Sequence, residues 1–278
     1  VAGPILRYHN VVQGLNSLET FQISRERTSK AFGYIVIGLG AKVLIADTIS
    51  HNLAEFVRNP GSLSILGSIY TVFSYSFQIY FDFYGYSLIA IGLGALFGFD
   101  FPKNFDRPYE ALNGRDFWRR WHITLSFWIR DYLYLPLGGN KNYVRNILIV
   151  FSVCGLWHGA GWTFIVWGLY HALLIIVYHA TRKWWDRPPQ LIQQATTFTL
   201  VSLGWTLFLF DFEGIKSFMR SLSGQAQNIT IEPSFEMWGV TFVSALVCFG
   251  IRFENLAERC EDRICISLAQ TCGMATLF

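Results

Sequence analysis

Two histidines define the chemistry open to this chain. His158 closes an almost uncharged apolar run and is surrounded by Gly155, Gly159 and Gly161. His122 lies in a Trp- and Arg-dense segment, FWRRWHITLSFWIRDYLYLPLGGN, that starts at Phe117. Burial disfavours the imidazolium, so a histidine at depth stays neutral and can take a proton as a general base. The glycines around His158 leave room for another backbone or a long thin ligand. His122 has two readings: the hydrogen-bonded histidine of an anchoring helix, or one pointed into a protected cavity. Asp82 is the one charge between Ser62 and Phe99. A mid-membrane acid is functional by default, and a carboxylate at a helix end, hydrogen-bonded to nearby tyrosines, is the plainer alternative.

Metal chemistry finds little support. His171 and His179 stand eight residues apart, roughly 80° around a helix, and do not form the i, i+4 pair that would share a metal. His171 reads as a packing histidine and His179 as an interface residue. The five cysteines contain no CxxC pair, and their odd number gives neither a disulfide framework nor a zinc site.

The elements that hold these residues are set by composition. Apolar residues make up 52% of the chain and charged residues 15%. A soluble domain carries roughly a quarter charged residues, so the chain reads as embedded in lipid. The net charge of +3 is small, and the basic residues sit in short connectors, which indicates membrane topology rather than nucleic-acid binding.

Along the chain, Val1 to Lys30 reads as a polar connector, with Arg25, Arg27 and Lys30 favouring the cytoplasmic side. Its opening residues resemble the middle of a loop, so the chain is expected to be a fragment lacking earlier spans. Ala31 to Ile49 is long enough to span, interrupted by Lys42 and Asp47, which either snorkel or line a polar interior. Ser62 to Phe99 is too long for one span and predicts two elements or a break near Gly85, with Gly92, Gly94 and Gly98 suited to close helix packing. Asp100 to Arg115 carries two prolines and several charges and is expected at the surface.

A helix is predicted from Asn113 to Leu135, stopped by Pro136 and Gly138-Gly139. Trp118, Trp121, His122, Leu125, Trp128, Ile129 and Tyr132 form one stripe on it, and Arg119, Arg120, Ser126, Arg130 and Asp131 take other faces. That is the profile of a helix lying in a membrane interface. Val144 to Trp157 is short for a full span, so it is re-entrant or ends inside the protein, which places His158 at depth. Further apolar segments cover Gly161–Ala180, Thr196–Phe210 and Phe235–Ile251, with a short amphipathic element starting at Asp211. Arg182, Lys183 and Arg187 close one of these on a cytoplasmic side, and the tail from Glu254 is charged and then cysteine-bearing.

The runs RDFWRRWHITLSFWIRDYLYLPLGGN and RNILIVFSVCGLWHGAGWTFIVWGLYHA closely resemble the membrane-bound O-acyltransferase family, in particular its alginate O-acetyltransferase branch. VAGPILR, IYFDFYGYSLIAIGLGALFGFDFPKNFDRPY and DFEGIKSFMRSLSG resemble the same branch in the same order. The resemblance implies an all-α, polytopic integral membrane bundle of one domain (residues 1–278), with interfacial or re-entrant helices around a tunnel. It also implies transfer of an acyl group, acetyl in this branch, from a thioester such as acetyl-CoA to a hydroxyl of a cell-surface polysaccharide. The family's catalytic histidine of the WHG motif falls on His158, and its second histidine falls on His122. Trp118, Arg119, Arg120, Trp121, Asp82 and Trp157 are the accompanying substrate-binding candidates. The implied partners are the lipid bilayer of a bacterial inner membrane, the acyl donor, and a polysaccharide or a soluble extracytoplasmic acetyltransferase; no bound cofactor is expected. Attack of an alcohol on a thioester needs a base and a means of steadying the oxyanion, each contributing about a hundredfold or more. A transporter or acyl-export channel, with Asp82 and the histidines as a relay, is the competing expectation.

Overall fold

The computed structural model describes residues 3–17, 24–226, 228 and 231–251. Among them the secondary structure is helical apart from one isolated bridge between Leu63 and Ile231. The helices are α1 (Tyr8–Ser17), α2 (Arg25–Leu39), α3 (Asp47–Arg58), α4 (Ile65–Leu96), α5 (Gly114–Arg120), α6 (Ile123–Ile129), α7 (Tyr143–His158), α8 (Trp162–Trp185), α9 (Gln190–Leu209), α10 (Phe212–Leu222) and α11 (Phe235–Gly250). Several starts are fixed by capping side chains. Ser24, Ser64, Asn113, Asp211 and Ser234 each accept a hydrogen bond from a backbone N–H three residues on, satisfying a donor that the first helical turn leaves free.

A π-helical turn, Gly40–Ala46, joins α2 to α3 without interruption, so Arg25–Arg58 forms one rod of 34 residues. This rod, α4 and α8 are each long and apolar enough to cross a membrane. The expected break near Gly85 does not occur: α4 runs unbroken for 32 residues. Gly85 is used for packing instead. A Cβ there would lie 2.6 Å from the carbonyl oxygen of Gly38, and one on Gly92 would lie 2.6 Å from that of Ala31. The two rods therefore touch backbone to backbone. Gly98 departs from the packing expectation, since its φ of 87° places it in the turn after α4.

The connector after α4 does not take the surface path expected for it. Asn104, Phe105, Tyr109 and Ala111 are buried, and Tyr109 donates to the Ser76 carbonyl inside the bundle. The prolines and charges suggested a surface path, but the aromatic side chains draw the segment into the core. Around it lies a continuous aromatic cluster: Trp121 packs 4.9 Å from Trp205 and 5.0 Å from Phe105, and Trp205 stacks 5.7 Å from Trp167.

The stretch expected to be one helix over Asn113–Leu135 is not continuous. It breaks at Trp121-His122 into α5 and α6 and then passes into a π turn at Arg130–Tyr134. The connector supplies the reason. Asp106 N–H donates to the Arg120 carbonyl and Ile123 N–H to the Asn104 carbonyl, both at 2.9 Å, so tertiary hydrogen bonds take groups that a continuous helix would pair internally. The stripe divides accordingly: Trp121, His122 and Leu125 are buried, whereas Trp128 and Tyr132 are exposed. The polar opening connector is also partly helical, as α1 and the start of α2. The predicted amphipathic element is α10, and the tail from Glu254 with Cys260, Cys265 and Cys272 lies outside the described residues.

Candidate functional site

His122 sits at the break between α5 and α6 with φ 44° and ψ 55°, a left-handed conformation unusual for a residue with a Cβ. Its ring is held on one side. Nδ1 lies 3.1 Å from Asn104 Oδ1, the same oxygen that accepts from Thr124 Oγ1 at 2.8 Å and from Thr124 N–H at 3.3 Å. The other side is bare. Nε2 is buried and has no hydrogen-bond partner within the protein. Phe83 packs edge-on at 4.7 Å and Trp157 at 6.4 Å.

His158 is the last residue of α7, a helix of 16 residues, in keeping with an apolar run that stops short of a full crossing. It is half-buried and its near neighbours are rings: Trp157 at 4.8 Å, Trp167 at 5.0 Å and Phe208 at 5.2 Å. Its position depends on how closely α7 meets α8. A Cβ on Gly155 would stand 2.2 Å from the Phe164 carbonyl oxygen, and one on Gly168 would stand 2.1 Å from that of Phe151. Only glycine permits this contact, which places His158 against Trp167.

Both histidines lie outside the three membrane-length helices. Burial pushes both imidazoles well below their ordinary value, and for His122 a charge on His158 would push the same way. Each is therefore neutral at physiological pH and able to accept a proton or a hydrogen bond. The two come from different elements and meet around Trp157.

The remaining sequence candidates separate. Trp157 packs against both rings, whereas Trp121 belongs to the buried aromatic cluster with Phe105 and Trp205. Trp118 packs between Phe151, Trp167 and His171. Arg120 belongs to the scaffold: its Nε donates to Asp116 at 3.0 Å and it reaches the Asp106 carbonyl. Arg119 points elsewhere, lining a cavity of about 620 Å³ between α5–α6 and α7 together with Arg115, Arg130 and Cys154; neither His122 nor His158 borders it. Asp82 pairs with Lys42 at 2.8 Å, and Lys42 also bonds Asp47, so one ammonium is shared by two carboxylates between α4 and the rod. His171 is the packing residue expected, 1% exposed among Phe117, Trp167 and Trp205. His179 is exposed beside Tyr143. Among the described residues no His, Cys, Asp and Glu side chains gather as metal ligands would.

Asn104 escaped the sequence reading because its segment was placed at the surface. The signal that could have found it is the density of aromatic residues around it, Phe99, Phe101, Phe105 and Tyr109, too apolar for an exposed loop.

The sequence model of the membrane-bound O-acyltransferase family matches residues 1–219. The chain is 41% identical over 233 residues to a peptidoglycan O-acetyltransferase of Helicobacter pylori, covering 81% of this chain and 44% of the relative. It is 40% identical over 220 residues to a probable alginate O-acetylase, AlgI, of Pseudomonas putida, with 75% and 43% covered. A teichoic acid D-alanyltransferase of Bacillus subtilis is 31% identical over 229 residues, with 74% and 57% covered. The chain thus spans about half the length of the curated relatives it matches. With the apolar helices described above, the match over most of its length shows that the chain is an integral membrane protein of the membrane-bound O-acyltransferase family.

Proposed function

We propose that the protein is a bacterial inner-membrane, multi-pass O-acyltransferase that moves an acetyl group from a thioester such as acetyl-CoA to a hydroxyl of a cell-envelope polysaccharide. The relatives supply the reaction class: those named above add acetyl or D-alanyl groups to peptidoglycan, alginate or teichoic acid. The observation that carries the reading is that two neutral histidines from separate elements, His122 buried and His158 half-buried, both pack against Trp157.

In this scheme His158 is the general base. Its imidazole takes the proton of the attacking hydroxyl as the oxygen bonds to the thioester carbonyl carbon. The tetrahedral oxyanion then collapses, the carbon–sulfur bond breaks, and the thiolate leaves with the proton from the imidazolium. The acetyl ester remains on the sugar. Trp167 and Phe208 pack against the His158 ring on its protein side and limit the water that can reach it. His122, across Trp157, supports the bound substrate. The thioester is a substrate, so no resident cofactor is needed. The polysaccharide, or an extracytoplasmic acetyltransferase that carries the group onward, is the receiving partner.

The test uses the full-length protein purified in detergent with radiolabelled acetyl-CoA, alongside His158→Ala and His122→Ala. Label leaves CoA in the wild type, is lost with His158→Ala, and is reduced with His122→Ala. Wild-type turnover in a folded His158→Ala variant would remove His158 from the base role.

A further inference from the structure

The three hydrogen bonds at Asn104 Oδ1 determine more than the position of His122. A backbone N–H can only donate, so the bond from Thr124 N requires the Asn104 carbonyl oxygen, not its amide nitrogen, on this side. Thr124 Oγ1 accepts from Ile5 N–H at 2.9 Å and donates its own proton to the same oxygen. On its other side the Asn104 amide nitrogen donates to Ser87 Oγ at 3.3 Å, and the side chain is 1% exposed. Every bond in the set agrees with one orientation. An oxygen facing His122 Nδ1 requires that nitrogen to carry the hydrogen, and in a neutral imidazole the other nitrogen then carries the lone pair.

We propose that Asn104 is a positioning residue that locks His122 in the Nδ1–H tautomer, so that its buried, unpartnered Nε2 presents a lone pair to the bound substrate. This rests on the acyl-transfer reading for its functional meaning. It assigns His122 a role as hydrogen-bond acceptor, receiving a hydroxyl or amide N–H of the substrate beside the reacting group. It also denies His122 the part of oxyanion donor, which needs an N–H at Nε2. The left-handed backbone of His122 and the broken helix are accounted for by the same contact. Continuing the helix would forfeit the Asn104 bonds to Ile123 N–H and Thr124 N–H that accompany the lock.

The experiment is nitrogen NMR of the full-length protein labelled at histidine, with His122 assigned from the His122→Gln spectrum. The wild type is expected to show a protonated Nδ1 and an unprotonated Nε2 at His122. Asn104→Leu is expected to lose that signature and to lower kcat by about a hundredfold with KM changed much less, as removal of an orienting partner does. Asn104→Asp, which keeps an acceptor oxygen facing Nδ1, is expected to restore the signature and much of the rate. A wild-type His122 protonated at Nε2 overturns the proposal, as does a folded Asn104→Leu variant that keeps both signature and kcat. If Asn104→Leu fails to fold, the wild-type spectrum still decides. The spectrum needs no turnover, so absence of acetyl transfer would count against the functional reading and leave the tautomer assignment to its own test.

Discussion

A methyl group added at Gly155 tests whether the α7–α8 contact sets the active geometry. The new Cβ would lie 2.2 Å from the Phe164 carbonyl oxygen, where ordinary contact begins near 3.4 Å. The nearest atoms are backbone, so no side chain can swing aside. Relief requires α7 to move away from α8 by about 1 Å. His158 lies one turn further along the same helix and packs 5.0 Å from Trp167 on α8, so the displacement passes directly to its ring. A misplacement of about 1 Å costs roughly a hundredfold in rate, and overpacking costs about 1–3 kcal/mol in stability. Gly155→Ala should therefore lower kcat for transfer of label from acetyl-CoA about a hundredfold, with thermal unfolding in detergent falling modestly. Gly161→Ala is the control, because its Cβ would meet Phe164 at an ordinary 3.5 Å. A Gly155→Ala enzyme within threefold of Gly161→Ala, with both inserted and folded, would refute the claim that the helix spacing governs His158.

Other outcomes follow from the same geometry. Because burial holds both imidazoles below their ordinary value of about 6.5, a His158 acting in the proposed base role is already neutral at that pH, and kcat should stay level as pH falls through 6.5 and decline only below it; a rate that halves near 6.5 would contradict this. Asp82→Asn leaves Lys42 paired with Asp47 and should keep acetyl transfer within about threefold of wild type, whereas a severe loss would return Asp82 to the site. Arg120→Met removes the bonds to Asp116 and the Asp106 carbonyl and should reduce stability by about 1 kcal/mol, visible as a lower unfolding temperature, without a selective change in KM.

The sequence showed where the long apolar segments lie, because length and apolarity are properties of a segment alone, but it divided the one that forms the unbroken α4. It also placed His158 at the end of a short apolar helix. It failed where a distant segment overrode local pattern. Trp118, Trp121, His122 and Leu125 keep helical spacing through the very point at which the chain turns, so periodicity could not disclose the break. The cause lies in Asn104 and Asp106, well upstream. Gly85 misled for a related reason: a glycine inside an apolar run marks either a break or a close crossing, and only the partner helix distinguishes them. Arg119 and Arg120 are neighbours in sequence but face a cavity and a carboxylate respectively, a separation that no motif records.

That α7 ends at His158 has an electrostatic consequence. The last carbonyls of a helix point beyond its C-terminus and place about half a negative charge there. In the resting site this field meets a neutral imidazole and contributes little. Once the ring takes a proton the same field stabilises it, by about 0.3–1 kcal/mol and up to ~2 kcal/mol where water is excluded. The aromatic surroundings suppress the imidazolium and the helix end supports it, so in the proposed base role His158 would gain part of its stabilisation only as charge develops.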